Sequence, residues 1–185
     1  MTRNKVVAIS GSTRKNATNH HFIKAIADLF KEQLDITVFD GIANLPHFNP
    51  DVEDNVAIEV ADFRKQLKEA DGILICTPEY AHGVPGSLKN AIDWTVSTSE
   101  FSQKPTVLIT ASTDGRYGHQ SLLETLKVIE AKNVDHLQLM IPFAKTKINE
   151  HHQIVDEKTL ADIKALIADF VHTMNEPTGN KSCIS

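Results

Sequence analysis

The sequence predicts an α/β protein in which a parallel five-stranded sheet carries helices on both faces. Two patterns carry this reading. Five apolar runs of strand length alternate with five segments of helical spacing. Several of the runs are apolar throughout, as strands buried on both faces are. Strict alternation requires crossover connections, which are right-handed and lay helices over both faces of the sheet. With 185 residues the chain suits one domain with a substantial core. Residues 1–175 are read as that domain and 176–185 as a polar tail.

Taken in order, the first strand is KVVAIS (5–10), followed by the loop SGSTRKNATN (10–19) and a helix with Phe22, Ile23, Ile26 and Phe30 on one face. DITVFD (35–40) is the second strand. After it, GIANLPHFNPDVEDN (41–55) exceeds ordinary connection length, which marks it as a functional or interface loop. A second helix presents Val56, Val60, Phe63 and Leu67, and GILICT (72–77) is the third strand. TPEYAHGVPG then leads into a helix with Leu88, Ala91, Ile92 and Val96, with Pro85 expected in its first turn, where a missing N–H matters little. PTVLITA (105–111) is the fourth strand, followed by a helix with Leu122, Leu123, Leu126 and Ile129. The fifth pair is HLQLMI (136–141) and a helix with Leu160, Ile163, Leu166, Ile167, Phe170 and Met174.

Composition excludes several classes of function. With 41% hydrophobic and 23% charged residues the chain is an ordinary globular protein, and a formal charge of -5 leaves no basic footprint for nucleic acid. No apolar run reaches about 18 residues, and the first strand starts near Lys5. No membrane partner is therefore expected, and the location expected is cytoplasmic. Cys76 lies in an apolar run and Cys183 in the polar tail. They read as a core thiol and an exposed one, a pairing suited to a reducing compartment.

In doubly wound sheets ligands bind beyond the carboxyl ends of the strands, where the winding direction reverses. Three loops qualify: 10–19, 77–86 and 111–119. The first leaves a buried strand and opens a helix near Asn19, whose N–H groups and positive dipole favour an anion. Ser12, Thr13, Thr18 and Asn19 add neutral donors, and Arg14 adds a planar fork for two phosphate oxygens. The competing reading is a capped helix beside a solvated arginine. Neither G-x-x-x-x-G-K-[ST] nor G-x-G-x-x-G occurs, which disfavours an NTPase or a dinucleotide-type fold. In the second loop, turn residues and Gly83 permit close backbone approach to a flat ring, with N–H groups near Glu79, Tyr80 and Ala81 as donors.

Two blocks then resemble a known family, the NAD(P)H-dependent FMN reductases of flavodoxin-like fold. GSTRKNATN is similar to G-S-x-R-x-x-S-x-N, and TPEYAHGVPGSLKNAIDW to P-E-Y-N-x-x-x-P-x-x-L-K-N-A-I-D-W. The resemblance spans nearly the whole chain and implies a three-layer flavodoxin-like sandwich with strand order 2-1-3-4-5. It implies FMN as cofactor and NADPH or NADH as co-substrate, with ping-pong hydride transfer to a small acceptor such as a flavin, quinone, azo compound or metal ion. Ser12, Arg14, Thr18 and Asn19 would hold the phosphate; Pro78, Glu79, Tyr80 and Ala81 would border the ring; Ser112 would approach it from the third loop. Relatives of this kind form dimers or dimers of dimers, so a homodimer or homotetramer is expected, with loop 41–55 and residues 88–97 as contact candidates.

The chain departs from the pattern twice. Ala17 replaces the usual Ser, and loss of a neutral hydrogen bond weakens binding by up to about tenfold unless Thr18 or Asn16 substitutes. Ala81 replaces the usual Asn and alters the acceptor pocket more than cofactor docking.

No catalytic side chain is assigned, because the cofactor carries the chemistry. Trp94, Lys89 and Asp93 read as packing and solvated charge, and Tyr80 as wall or packing. No metal site is assigned to His20–His21 or His151–His152, since neighbours on a helix point apart. His82 stays a candidate for contact with substrate; Arg116, with nearby His119, is a candidate for a 2′-phosphate, with a solvated loop arginine as the competing and preferred reading. An electron-carrier flavodoxin is the alternative, although its usual T/S-x-T-G-x-T loop is missing. A Ser12 hydrolase lacks a G-x-S-x-G elbow.

Overall fold

A computed structural model of the protein describes residues 3–176. Strands β1 (Asn4–Ser10), β2 (Leu34–Phe39), β3 (Gly72–Thr77), β4 (Thr106–Ala111) and β5 (Gln138–Ile141) form one parallel sheet in the order β2-β1-β3-β4-β5. The chain winds outward from β1 to β2, returns across to β3 and then runs the other way. Right-handed crossovers convert that reversal into two helical layers.

Alternation along each strand feeds both layers. Val7, Ile9, Ile73, Ile75 and Leu108 pack with helices α2 (Ile58–Glu69), α3 (Gly86–Asp93) and α4 (Arg116–Val128). Val6, Ala8, Leu74, Cys76, Val107 and Ile109 pack with α1 (Thr18–Leu29) and α5 (Glu157–Asn175). β3 and β4 are therefore buried at every position, whereas the edge strands β2 and β5 are partly exposed. This is the burial expected of continuous apolar runs in the middle of a parallel sheet. Cys76 is wholly buried, and desolvation pushes its thiol up to about 12, so it stays protonated and inert. Cys183 and the rest of the tail beyond Glu176 lie outside the described residues.

Residues 41–55 are less irregular than their length predicts. Pro50–Asn55 forms a 3-10 helix whose Asn49 cap accepts the Asp51 N–H at 3.0 Å. The segment is docked on α3: the Asn90 amide receives the Phe48 N–H at 2.8 Å and donates to Pro46 O at 2.9 Å, and the buried Trp94 indole donates to the same carbonyl at 2.8 Å. Arg64 closes the corner on Trp94 O and Glu53, each at 2.7 Å. The helix expected to reach position 97 ends at Asp93, and Val96 is 53% exposed on the turn that follows. Thr95 turns the chain there, its N–H and hydroxyl both donating to Ile92 O.

Candidate functional site

A cavity of about 380 Å³ opens at the carboxyl ends of β1, β3, β4 and β5. At one end lies the loop after β1. The Gly11 N–H donates to Cys76 O at 2.9 Å, which holds the loop against the end of β3. A Cβ at Gly11 would lie 2.1 Å from Thr77 Oγ1, so this approach requires glycine. Ser12 is buried, with its Oγ 3.4 Å from the Arg14 N–H.

Helix α1 then begins with Ala17 at its N-cap, no side-chain cap among the described residues and no acidic residue in its first turn. Ala17, Thr18 and Asn19 line the cavity, so the positive end of the helix and its first N–H groups meet it without a neutralising side chain. Arg14 reaches the same end from an exposed position. Asn19 differs from expectation in detail. Its buried amide donates to Ala111 O at 3.2 Å and approaches Cys76 Sγ at 3.6 Å, so the side chain locks the start of α1 onto β3 and β4.

Pro78, Glu79, Tyr80 and Ser112 line the other end. The Glu79 N–H donates to Ser112 Oγ at 3.3 Å. Tyr80 and Gly83 exchange backbone hydrogen bonds of 3.1 and 2.9 Å around a tight turn, whose central residues Ala81 and His82 are left-handed at φ 49° and 57°. The Glu79 and Tyr80 donors expected to face a ring are thus already paired, the first with Ser112 of the loop after β4 and the second within its own turn. Every predicted site residue lines the cavity except Ala81, which stands at the tip of the turn.

The loop is fixed from outside by α4. Glu79 Oε2 accepts the Gly118 N–H at 2.6 Å, in the first turn of that helix. A Cβ on Gly118 would lie 3.0 Å from Gly83 O and 3.1 Å from Glu79 Cγ, so glycine permits this closeness. A carboxylate at a helix N-terminus is favoured by the dipole as well as by the hydrogen bond.

Sequence reasoning missed the wall formed by Phe143, Ala144, Lys145 and Thr146 after β5. The strand-end rule that selected the other three loops applies equally to this one. Phe143 is 65% exposed and left-handed at φ 51°, held there as its N–H donates to Thr113 O at 3.1 Å and the Ala144 N–H to Ser112 O at 3.0 Å. A bulky residue in that region is strained, and such strain gathers at ligand sites. With half-exposed Tyr80, whose hydroxyl lies 3.5 Å from Ser12 Oγ, Phe143 gives the cavity a second aromatic lining residue.

His119, Arg116 and His82 stand outside the cavity lining. His119 is buried between β4 and β5, hydrogen-bonded to Thr110 Oγ1 at 2.8 Å and Gln138 Oε1 at 2.7 Å, with burial lowering its pKa. It links α4 to the ends of β4 and β5. Arg116 forks onto Asp114 at 2.9 to 3.1 Å on the exposed surface. His82 stacks on Tyr117 with ring centroids 4.4 Å apart, outside the cavity lining.

Comparison with known proteins shows the family and the fold. The family model described as NADPH-dependent FMN reductase matches residues 4–146. The chain is 33% identical over 161 residues to an NAD(P)H-dependent FMN reductase of Pseudomonas aeruginosa, covering 83% of this chain and 86% of that protein. It is 32% identical over 172 residues to an NADPH azoreductase of a Bacillus species, covering 90% and 88% respectively. To a quinone reductase of Escherichia coli it is 29% identical over 175 residues, covering 90% and 93%. Among solved structures, the flavoenzyme NAD(P)H:(acceptor) oxidoreductase FerB of Paracoccus denitrificans superposes with a TM-score of 0.75 at 22% identity, covering 92% of this chain and 97% of that one. An archaeal flavodoxin superposes at 0.61 with 16% identity, covering 92% and 98%, which is a likeness of fold.

Proposed function

The chain belongs to the NADPH-dependent FMN reductase family, and from that premise we propose that its cavity binds FMN and passes reducing equivalents from NADPH or NADH to a small-molecule acceptor. The observation that carries this reading is the two-ended cavity: an uncapped helix start with Arg14 at one end, and a wall of loop backbone with aromatic side chains at the other. The first end suits a phosphate and the second a flat ring system.

FMN, when bound, would supply the redox chemistry, as hydride acceptor from the nicotinamide and donor of reducing equivalents to the acceptor. The chain binds and orients. Ser12, Arg14 and the first N–H groups of α1, at Thr18 and Asn19, hold the phosphate, while the Asn19 amide keeps that helix start in register with the sheet. Pro78, Glu79 and Tyr80 border the ring through main chain, and Ser112 orients the Glu79 peptide. Ala81 acts through the shape of the turn. Tyr80 and Phe143 narrow the mouth and exclude water over the ring. Nicotinamide and acceptor then enter through the same mouth in turn, which is a ping-pong cycle.

Acceptors that fit an open, partly aromatic mouth include free flavin, quinones and azo compounds, with metal ions as a further class. Residues 1–175 act as one FMN-binding domain in this reading. Segment 41–55, docked beside α3, is the candidate contact for a homodimer or homotetramer in this reading. No helix among the described residues is long and apolar enough to cross a membrane, and cytoplasmic work on soluble acceptors is the reading consistent with that.

The decisive experiment is an anaerobic visible spectrum of FMN-reconstituted protein before and after one equivalent of NADPH, with NADH in parallel. Rapid bleaching followed by reoxidation with a quinone is expected, with parallel double-reciprocal lines in steady state. Bound FMN that resists both nicotinamides would instead identify an electron carrier.

A further inference from the structure

His21 and His152 stand 131 positions apart in the chain, yet their Nδ1 atoms lie 2.6 Å apart. The ring centroids are 4.7 Å apart and the planes are tilted by 34°. At that separation the two rings are hydrogen-bonded through Nδ1, and an ion bound between them would take the place of the shared hydrogen.

Both supports are firm. His21 is the fourth residue of α1. His152 sits on a turn before α5, held because Asn149 Oδ1 accepts the His151 and Gln153 N–H groups, each at 3.0 Å, and the His152 N–H donates to Asn149 O at 3.2 Å. His152 is left-handed at φ 61°, the conformation that turns its ring toward α1. Both rings are partly exposed, so solvent reaches the remaining side of the pair.

We propose that His21 and His152 form a two-imidazole site for one late first-row divalent metal ion, Ni(II) or Cu(II), with water in the remaining positions. Imidazole nitrogens bind such ions at about 2.0–2.1 Å, so two of them in adjacent square-planar or octahedral positions lie about 2.9 Å apart. The observed spacing reaches that value by a side-chain shift of a few tenths of an ångström. A tetrahedral ion needs about 3.4 Å, a larger opening, which disfavours zinc. The charged surroundings are mixed: the Lys24 ammonium, the His151 imidazole and the Asp28 carboxylate all lie near His152. Among the described residues no third His, Cys, Asp or Glu joins the pair, which is why water completes the shell.

The site is separate from the FMN cavity but shares its supports. The start of α1 lines the phosphate end, and residues 143–146 line another wall shortly before the His152 turn. A metal bridge would staple these two supports together.

The test is calorimetric titration of the FMN-loaded full chain with Ni(II) at neutral pH, with thermal unfolding alongside. One saturable equivalent and a raised Tm are expected, since a ligand bound only by the folded state stabilises it. His21→Ala and His152→Asn should each weaken binding roughly tenfold or more; asparagine tolerates the left-handed backbone, so the second variant keeps its turn. His172→Ala, on the exposed end of α5, should bind as the parent does. Absence of a saturable equivalent, or undiminished binding in either pair variant, overturns the proposal.

Discussion

Glu79 Oε2 accepts the Gly118 N–H at 2.6 Å, joining the loop after β3 to the first turn of α4. The cavity wall at residues 78–80 is therefore positioned from behind by a helix that contributes no side chain to the cavity itself.

Glu79→Ala should lose about 1 kcal/mol of stability, and up to about 2, the range for removing a helix-terminal acceptor. Glu79→Gln, which keeps an acceptor without the charge, should lose less. Gly118→Ala should loosen FMN with little change in helix content, since its Cβ meets Gly83 O at 3.0 Å. Urea unfolding and FMN fluorescence titration check all three; equal stability of the alanine and parent proteins at position 79 would remove the anchor role.

Ala17→Ser should tighten FMN binding by between twofold and about tenfold, because one added neutral hydrogen bond contributes roughly 0.5–1.5 kcal/mol. The position is an N-cap without a side-chain acceptor among the described residues, so the hydroxyl also serves the free helix. Comparing FMN affinity with the melting temperature of the FMN-free protein separates the two effects.

Asn90→Ala removes both hydrogen bonds between α3 and residues 46–48. A loss of about 1–2 kcal/mol is expected, together with faster proteolytic cleavage within residues 41–55. Unchanged cleavage would mean that the Trp94 indole and the Arg64–Glu53 pair hold the segment without Asn90.

Asp156 caps α5, its Oδ1 accepting the Thr159 N–H at 2.8 Å and hydroxyl at 2.6 Å. The Thr159 hydroxyl, then its N–H and Lys147, lower this carboxyl from the ordinary 3.8 to about 2. A depressed folded pKa means that the unfolded chain binds the proton more readily. The stabilisation is thus present above 3.8 and is lost as pH falls from there towards 2. The stability gap between the parent and Asp156→Asn should shrink over that window, as read by urea unfolding at a series of pH values.

The sequence alone carried the strand runs, because strands buried on both faces leave no room for polar alternation: β3 and β4 are legible as Gly72–Thr77 and Thr106–Ala111 almost to the residue. It also carried the two loops whose residue types follow from local chemistry, a donor-rich helix start at 12–19 and a turn at 78–83. These signals are local, in that each residue's preference is set by its chain neighbours and its depth in the sheet.

Tertiary structure decided whatever depends on which segments meet. That Glu79 caps α4, that Asn90 and Trp94 dock residues 46–48, that Phe143 joins the cavity wall, that His119 faces Gln138 rather than solvent, and that His21 meets His152 are pairings between segments distant in sequence. A glutamate or histidine has the same composition and spacing whether its partner is water or another chain segment. Only the strand order and the right-handed crossovers, which put the ends of β1, β3, β4 and β5 around one cavity, choose between them.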